Sequence, residues 1–228
     1  MRNPKSNRTV TRPPARRKKK ADDLSVRSRL LQSALHLFTA RGYDGVAVDE
    51  IVDRARANKR MVYHYFGSKE GIYGEVLRTA YDQVEAVEVS LFHRGGDVGD
   101  PVQALEQTVA TFFEFLQHHN DFVRLLLWEN LSEGRHLKKL RRPVSKSPTL
   151  HHLSQILGEG EKAGLFRSGL DPRSVFVSLL GLCLIYFSNR HTLSLTLGVD
   201  ISAKAFLRRA AQHSCDILLH GIARSEKK

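Results

Sequence analysis

Two turn signals, Asp44-Gly45 and Gly67-Ser68, bracket a stretch with room for only two short helices. The first carries Val48, Ile51, Val52 and Ala55 on its inner side, at the spacing of a helix face. Asn58 then offers a side-chain oxygen to the free N–H groups of a second helix, Lys59 to Phe66. In that helix Val62 and Phe66 lie four apart and share one face, which is expected to pack on Ile51, Val52 and an upstream Phe38. Arg60 and His64, also four apart, point the other way, with Lys59 and Tyr63 beside them. Two short helices joined by so tight a turn have helix-turn-helix geometry.

The flanking sequence extends the same period. Leu30, Leu31, Ala34, Leu35 and Phe38 mark a helix face before the motif, and Gly42 follows as its C′ residue. Lys69 opens a long helix that runs to about Phe92. A Gly/Asp-rich break (residues 93–100) precedes Pro101, which suits a first helical turn. Helices are expected at about 101–118, 120–133, 149–164, 171–190 and 201–222, with a basic, Pro-containing connector over 134–148. No segment alternates with period two, so the fold class is all-α, a three-helix head on a larger helical body. Three regions are expected: a disordered basic arm (1–21), a helix-turn-helix domain (22–68) and a C-terminal domain (69–228).

Charge and composition bear on partners. The net charge is +12, and residues 1–23 hold nine Lys/Arg against two Asp. A polyphosphate is the natural partner for such an arm, because each neutralised phosphate releases condensed counterions. A solvated tail that binds nothing gives the same composition. No uninterrupted apolar run is long enough for a membrane span, so no membrane partner is expected. Cys183 and Cys215 stand in no disulfide or zinc spacing, which fits a reducing cytoplasm and no metal. His118-His119 and His151-His152 are adjacent pairs, and adjacent helical side chains point about 100° apart rather than converging on a metal. No hydrolase, zincin or phosphate-loop motif is present, so neither catalysis nor a cofactor is expected.

The outward face of Lys59–Phe66 is cationic and aromatic and holds no acid, as a helix entering the major groove of double-stranded DNA requires. Lys59 and Arg60 can donate to guanine O6/N7, while Met61 and Tyr63 can touch thymine methyls. Lys69 and the free N–H groups after Ser68 stand at a helix N-terminus, a ready phosphate site.

The stretch Ala34–Leu77, with Leu37-Phe38, Gly42-Tyr43, Ile51, Ala55, Tyr63-His64-Tyr65-Phe66 and Lys69-Glu70, resembles the DNA-binding head of the TetR family. The resemblance implies base contacts at Lys59, Arg60, Met61 and Tyr63, and backbone contacts at Tyr63, His64, Tyr65 and Lys69. Tyr65 lies close to the buried side, so packing between helices is an equal reading for it. Three departures stand out. Val46 and Ala47 replace the family's frequent Thr, Arg56 occupies the turn where the family has Gly, and the basic arm is long. A non-glycine residue is disfavoured at positive φ, so Arg56 implies either an altered turn or a side chain that reaches a phosphate.

For the body, the resemblance implies a homodimer built on the last two helices and a small-molecule effector held inside the helical bundle. Leu179, Leu182, Leu184, Ile185, Phe206, Ile217 and Leu218 make those helices apolar over wide arcs, and Ser178 and Gly181 would permit close approach. An intrachain core would give the same pattern. Effector pockets are mostly apolar with few polar groups. On that basis Phe113, Trp128, Asn130, Tyr186 and Asn189 are the candidate ligand contacts. The stretches Phe122–Asn130, Gly134–His136 and Ser188–Thr192 resemble a subgroup of the family that includes regulators of pyrimidine and nicotinate breakdown.

Overall fold

The computed structural model describes residues 15–92, 99–140 and 148–224, with side chains over 25–87, 99–140 and 148–224. Within them the chain forms ten α-helices: α1 (Ala15–Arg41), α2 (Val48–Ala55), α3 (Lys59–Phe66), α4 (Lys69–Phe92), α5 (Pro101–His118), α6 (Asn120–Leu131), α7 (Pro148–Lys162), α8 (Pro172–Ser188), α9 (Arg190–Leu197) and α10 (Lys204–Ile222). A 3-10 turn, Leu137–Lys139, follows α6, and no strand occurs among the described residues. The fold class is all-α, as the periodicity implies.

Several boundaries differ from expectation, among them the end of α7 at Lys162 and the start of α10 at Lys204. Helix α1 begins at Ala15, inside the arm expected to be disordered. Residues 15–21 contain only Ala, Arg and Lys, which are strong helix formers, and propagating an existing helix costs far less than nucleating one. The rest of the arm, residues 1–14, lies outside the described residues, as do residues 93–98 of the Gly/Asp-rich break and residues 141–147 of the connector. Helix α6 stops at Leu131, short of 133, because Glu133 and Gly134 both turn left-handed, at φ 58° and 66°. The segment expected as one helix to residue 190 ends at Ser188, and a separate α9 follows across a 75° bend.

Caps follow the sequence closely. Asn58 accepts from the Arg60 N–H, Asp100 from Val102, and Asp171 from Arg173 and Ser174. Pro101 and Pro172 each occupy a first helical turn, where no N–H is missed.

The buried apolar side chains form one continuous cluster. In the N-terminal part Leu30, Ala34, Phe38, Ile51, Val62 and Ile72 are wholly inaccessible. The cluster runs on through Val76 and Leu77 of α4 into Leu105, Leu116, Leu125, Leu153 and Leu179 of the body. Helix α1 packs on α2 and α4 and also on α6, so the first helix is held by both halves of the chain. No single described helix is long and apolar enough to cross a membrane, and α8 with α9 reaches that length only across their bend.

Candidate nucleic-acid interface

The turn between α2 and α3 keeps the left-handed step despite the missing glycine. Arg56 adopts φ 48°, ψ 52°, and its N–H reaches back to the Asp53 carbonyl at 3.1 Å. The next N–H, of Ala57, bonds Val52 O at 2.9 Å, and Arg29 Nε of α1 donates to Ala55 O. These bonds satisfy the carbonyl end of α2 and hold the turn against the strain of a side chain at positive φ. Arg56 itself is exposed. The turn thus takes the left-handed conformation that a glycine would favour, with Arg56 in its place.

Helix α3 is oriented as its spacing implies. Val62 is fully buried beneath it, while Lys59, Arg60, Tyr63 and His64 are exposed, Tyr63 with half its surface free. Met61, Tyr65 and Phe66 are half-buried. The Phe66 ring carries the Arg27 guanidinium at 5.2 Å, so the inward aromatic is also a seat for a cation from α1. Tyr65, half-buried, lies edge-on to the rings of His64 and Phe66 on its own helix.

One acid comes to the edge of this face from a neighbouring helix. Asp49, in the first turn of α2, pairs with Lys59 Nζ at 2.8 Å and raises its pKa, chiefly through the hydrogen bond. The sequence pattern of α3 alone could not show this, because the partner comes from ten residues upstream. Glu50 beside it accepts from the Ala47 N–H and from Arg41, and both contacts hold its pKa below the usual carboxylate range. A cap is thus present at the start of α2 although Val46 and Ala47 carry no hydroxyl.

The start of α4 lies next to this face. Gly71 is required there: a Cβ would stand 1.7 Å from the Phe66 carbonyl oxygen, so only glycine lets α4 begin so close to the end of α3. Ser68 Oγ accepts from the Gly71 N–H at 3.0 Å. The Lys69 ammonium does not extend freely into solvent but sits 4.2 Å above the Tyr43 ring. Tyr43, in the loop after α1, rests in turn on Tyr73 and His136.

The five candidate ligand residues are not gathered at one place. Phe113 and Tyr186 meet, with ring centroids 5.8 Å apart, and Phe113 also abuts Phe187. Trp128 instead faces α1: its indole N–H donates to Thr39 O at 3.3 Å, and a Cβ on Gly42 would come within 2.8 Å of its ring. Arg124 of the same helix donates to Thr39 O and Ala40 O. The amide of Asn130 bonds Leu126 O on its own helix, and Asn189 is exposed at the α8–α9 bend. A depression of about 190 Å³ lies between α1, α4 and the α5–α6 joint, lined by Leu35, Gln83, His119 and Phe122 but by none of the five. Sequence reasoning missed the role of Trp128 because nothing in its local spacing reveals that α1 passes beside it.

On the last helices the wide apolar arcs divide in two. Leu179 and Leu218 belong to the intrachain core, and Leu182, Leu184 and Phe206 are packed against it. Val177, Ile185 and Ile217 remain exposed, with open space over Gly181. Exposed apolar groups continue at Leu195, 85% accessible, and at Leu197 and Val199.

Comparison with known proteins agrees with this geometry. Residues 30–76 match the profile described as bacterial regulatory proteins, tetR family, and residues 101–218 match the tetracyclin repressor-like C-terminal domain. The chain is 34% identical over 200 residues to the HTH-type transcriptional repressor NicS of Pseudomonas putida, covering 87% of this chain and 93% of that one. It shares its fold with the ketosteroid transcriptional regulator KstR2 of Mycobacterium tuberculosis (TM-score 0.63, 21% identity, 94% of this chain and 98% of that one). A similar likeness holds with AibR, solved in complex with isovaleryl coenzyme A and operator DNA (TM-score 0.64, 19% identity, 86% of this chain and 98% of that one). With its helix-turn-helix, its helical body and both matched regions in their expected order, the chain belongs to the TetR family of bacterial transcriptional regulators.

Proposed function

We propose that this protein is a homodimeric, ligand-responsive repressor that reads a palindromic operator through α3. The observation that carries the reading is the outward face of that helix. Lys59, Arg60, Tyr63 and His64 are exposed on a helix whose opposite side is anchored by fully buried Val62. Such a helix can enter a major groove without rearranging the fold. Met61, Tyr65, Arg56 and Lys69 border this face and complete the proposed DNA surface.

The division of labour follows the chain. Residues 22–68 read DNA, residues 69–228 bind effector and partner, and the basic arm adds sequence-independent attraction. Dimerisation is supported by the exposed apolar side chains concentrated on α8, α9 and α10, which a second copy would cover. Two heads related by a two-fold axis then meet two half-sites. AibR is a relative in fold whose structure holds an acyl-coenzyme A together with operator DNA, which supports a small organic effector here. Phe113 and Tyr186, which meet within the body, are the residues we assign to the effector site. Trp128 senses the effector indirectly, through its bond to α1. Asn130 and Asn189, on the outside of the body, stand as rim contacts.

The test is a titration of the full-length protein against duplex DNA carrying the inverted repeat upstream of its own gene. Binding that resists excess random-sequence duplex is expected. Equal competition by random duplex would reduce the protein to a non-specific DNA binder, and indifference to every duplex would end the reading.

A further inference from the structure

Glu129 of α6 is 1% exposed, and its carboxylate accepts four hydrogen bonds from outside its own helix. Oε1 accepts from the Tyr73 hydroxyl of α4 and from His136 Nδ1–H, each at 2.9 Å. Oε2 accepts from the backbone N–H groups of His136 and Leu137, at 3.2 and 3.1 Å. A carboxylate this deep is tolerable only when so fully partnered. Burial, and then Glu129 itself, push the Tyr73 hydroxyl pKa up, so the phenol remains a donor.

What these bonds fix is the segment after α6, and that segment touches the edge of the head at two points.

 The His136 ring stands 4.3 Å from the Tyr43 ring and 4.9 Å from the Tyr73 ring, measured between centroids. Lys139, three residues on, forms an ion pair with Glu70, the neighbour of Lys69. Tyr43 in turn seats the Lys69 ammonium at 4.2 Å. Two routes therefore lead from one carboxylate in the body to the first turn of α4: through the stacked rings, and through the connector's lysine.

A cation over a ring face is held electrostatically, which narrows the positions its ammonium visits. Less ordering then remains to be done when a phosphate arrives. We propose that Glu129, His136 and Tyr73 are positioning residues that hold Tyr43 and Lys69 as a phosphate clamp, so that a carboxylate in the body sets the affinity of the head for duplex DNA. The proposal rests on the reading of the head as a DNA-binding surface, and it adds to that reading the group that keeps one edge of the surface in place.

The test uses the full-length protein and a random-sequence duplex, because a phosphate contact does not depend on base sequence. Wild type, Glu129→Gln, Lys69→Ala and the double variant are compared at several salt concentrations, with melting temperature measured alongside. Glu129→Gln is expected to weaken binding about tenfold and to lower the salt slope by about one phosphate. Adding it to Lys69→Ala should cost little more, because both act through one ammonium. If Glu129→Gln lowers the melting temperature but leaves affinity and salt slope unchanged, or if the two losses simply multiply, the clamp is overturned. Should Glu129→Gln fail to fold, Tyr73→Phe, which deletes one hydroxyl and no charge, carries the same comparison. Wild-type protein that ignores every duplex would instead sink the DNA-binding reading itself.

Discussion

Lys69 and Arg60 differ in what surrounds them, and the difference predicts different phenotypes. Lys69 sits on the Tyr43 ring at the start of α4, where a helix N-terminus favours an anion. Arg60 is exposed in the first turn of α3, with no acid among its described partners. Lys69→Ala should weaken binding to all duplexes alike and reduce the salt slope by about one. Arg60→Ala should relax the choice at one or two base pairs, each worth about 1–3 kcal/mol. Binding to a panel of single-base operator variants separates the two, and identical behaviour would mean that the roles are misassigned. Arg56 makes a third case. Its φ of 48° carries a steric cost of about 1–2 kcal/mol that glycine would not have. Glycine loses about 0.5–1 kcal/mol of that gain through its freer unfolded chain. Arg56→Gly should therefore raise stability by up to about 1.5 kcal/mol in urea denaturation while lowering affinity for DNA. A variant that gains stability and binds as well as wild type would remove Arg56 from the interface.

Among the helices, α6 has the most unusual position, because it joins the carbonyl end of α1 to the start of α4. Arg124 and Trp128 cap α1 at Thr39 and Ala40, while Glu129 on another side of the same helix engages α4 and the connector. A shift of α6 would reach the head through both contacts at once. Gly42 marks how tight this joint is, with φ at 70° and the Trp128 indole where a side chain would go. Gly42→Ala meets both obstacles, the left-handed backbone and the overpacking, and should destabilise by about 2–4 kcal/mol. Thermal or urea unfolding measures it; a loss under about 1 kcal/mol would show that the indole moves aside freely and that the joint is loose.

For the molecule as a whole, the exposed apolar groups and the surplus of positive charge lie on separate parts of the chain. Val177, Ile185 and Ile217 stand on the far C-terminal helices, whereas nine of the Lys/Arg residues fall within the first 23 positions. That separation suits a dimer held at one end and gripping a duplex at the other. The double variant Ile185→Asp, Ile217→Asp places charges on the proposed interface without touching the buried core. It should sediment as a monomer with unchanged helicity and lose most of its operator affinity, since a monomer meets only one half-site. A variant that stays dimeric would place the interface elsewhere.

How much of this was legible beforehand depended on the range of each interaction. Helix type, most caps and the two-sided character of α3 follow from spacings of three and four residues, and these appear directly in the linear pattern from Val48 to Lys69. The all-α class and the family resemblance follow from the same local signals. The pairing of Lys59 with Asp49, the capping of α1 by Trp128 and Arg124, and the burial of Glu129 against Tyr73 and His136 were not readable. Tyr73 and Glu129 are 56 residues apart, and Thr39 and Trp128 are 89 apart. Such contacts depend on how whole helices cross, which is decided by the packing of one shared core and leaves no periodic trace in the chain.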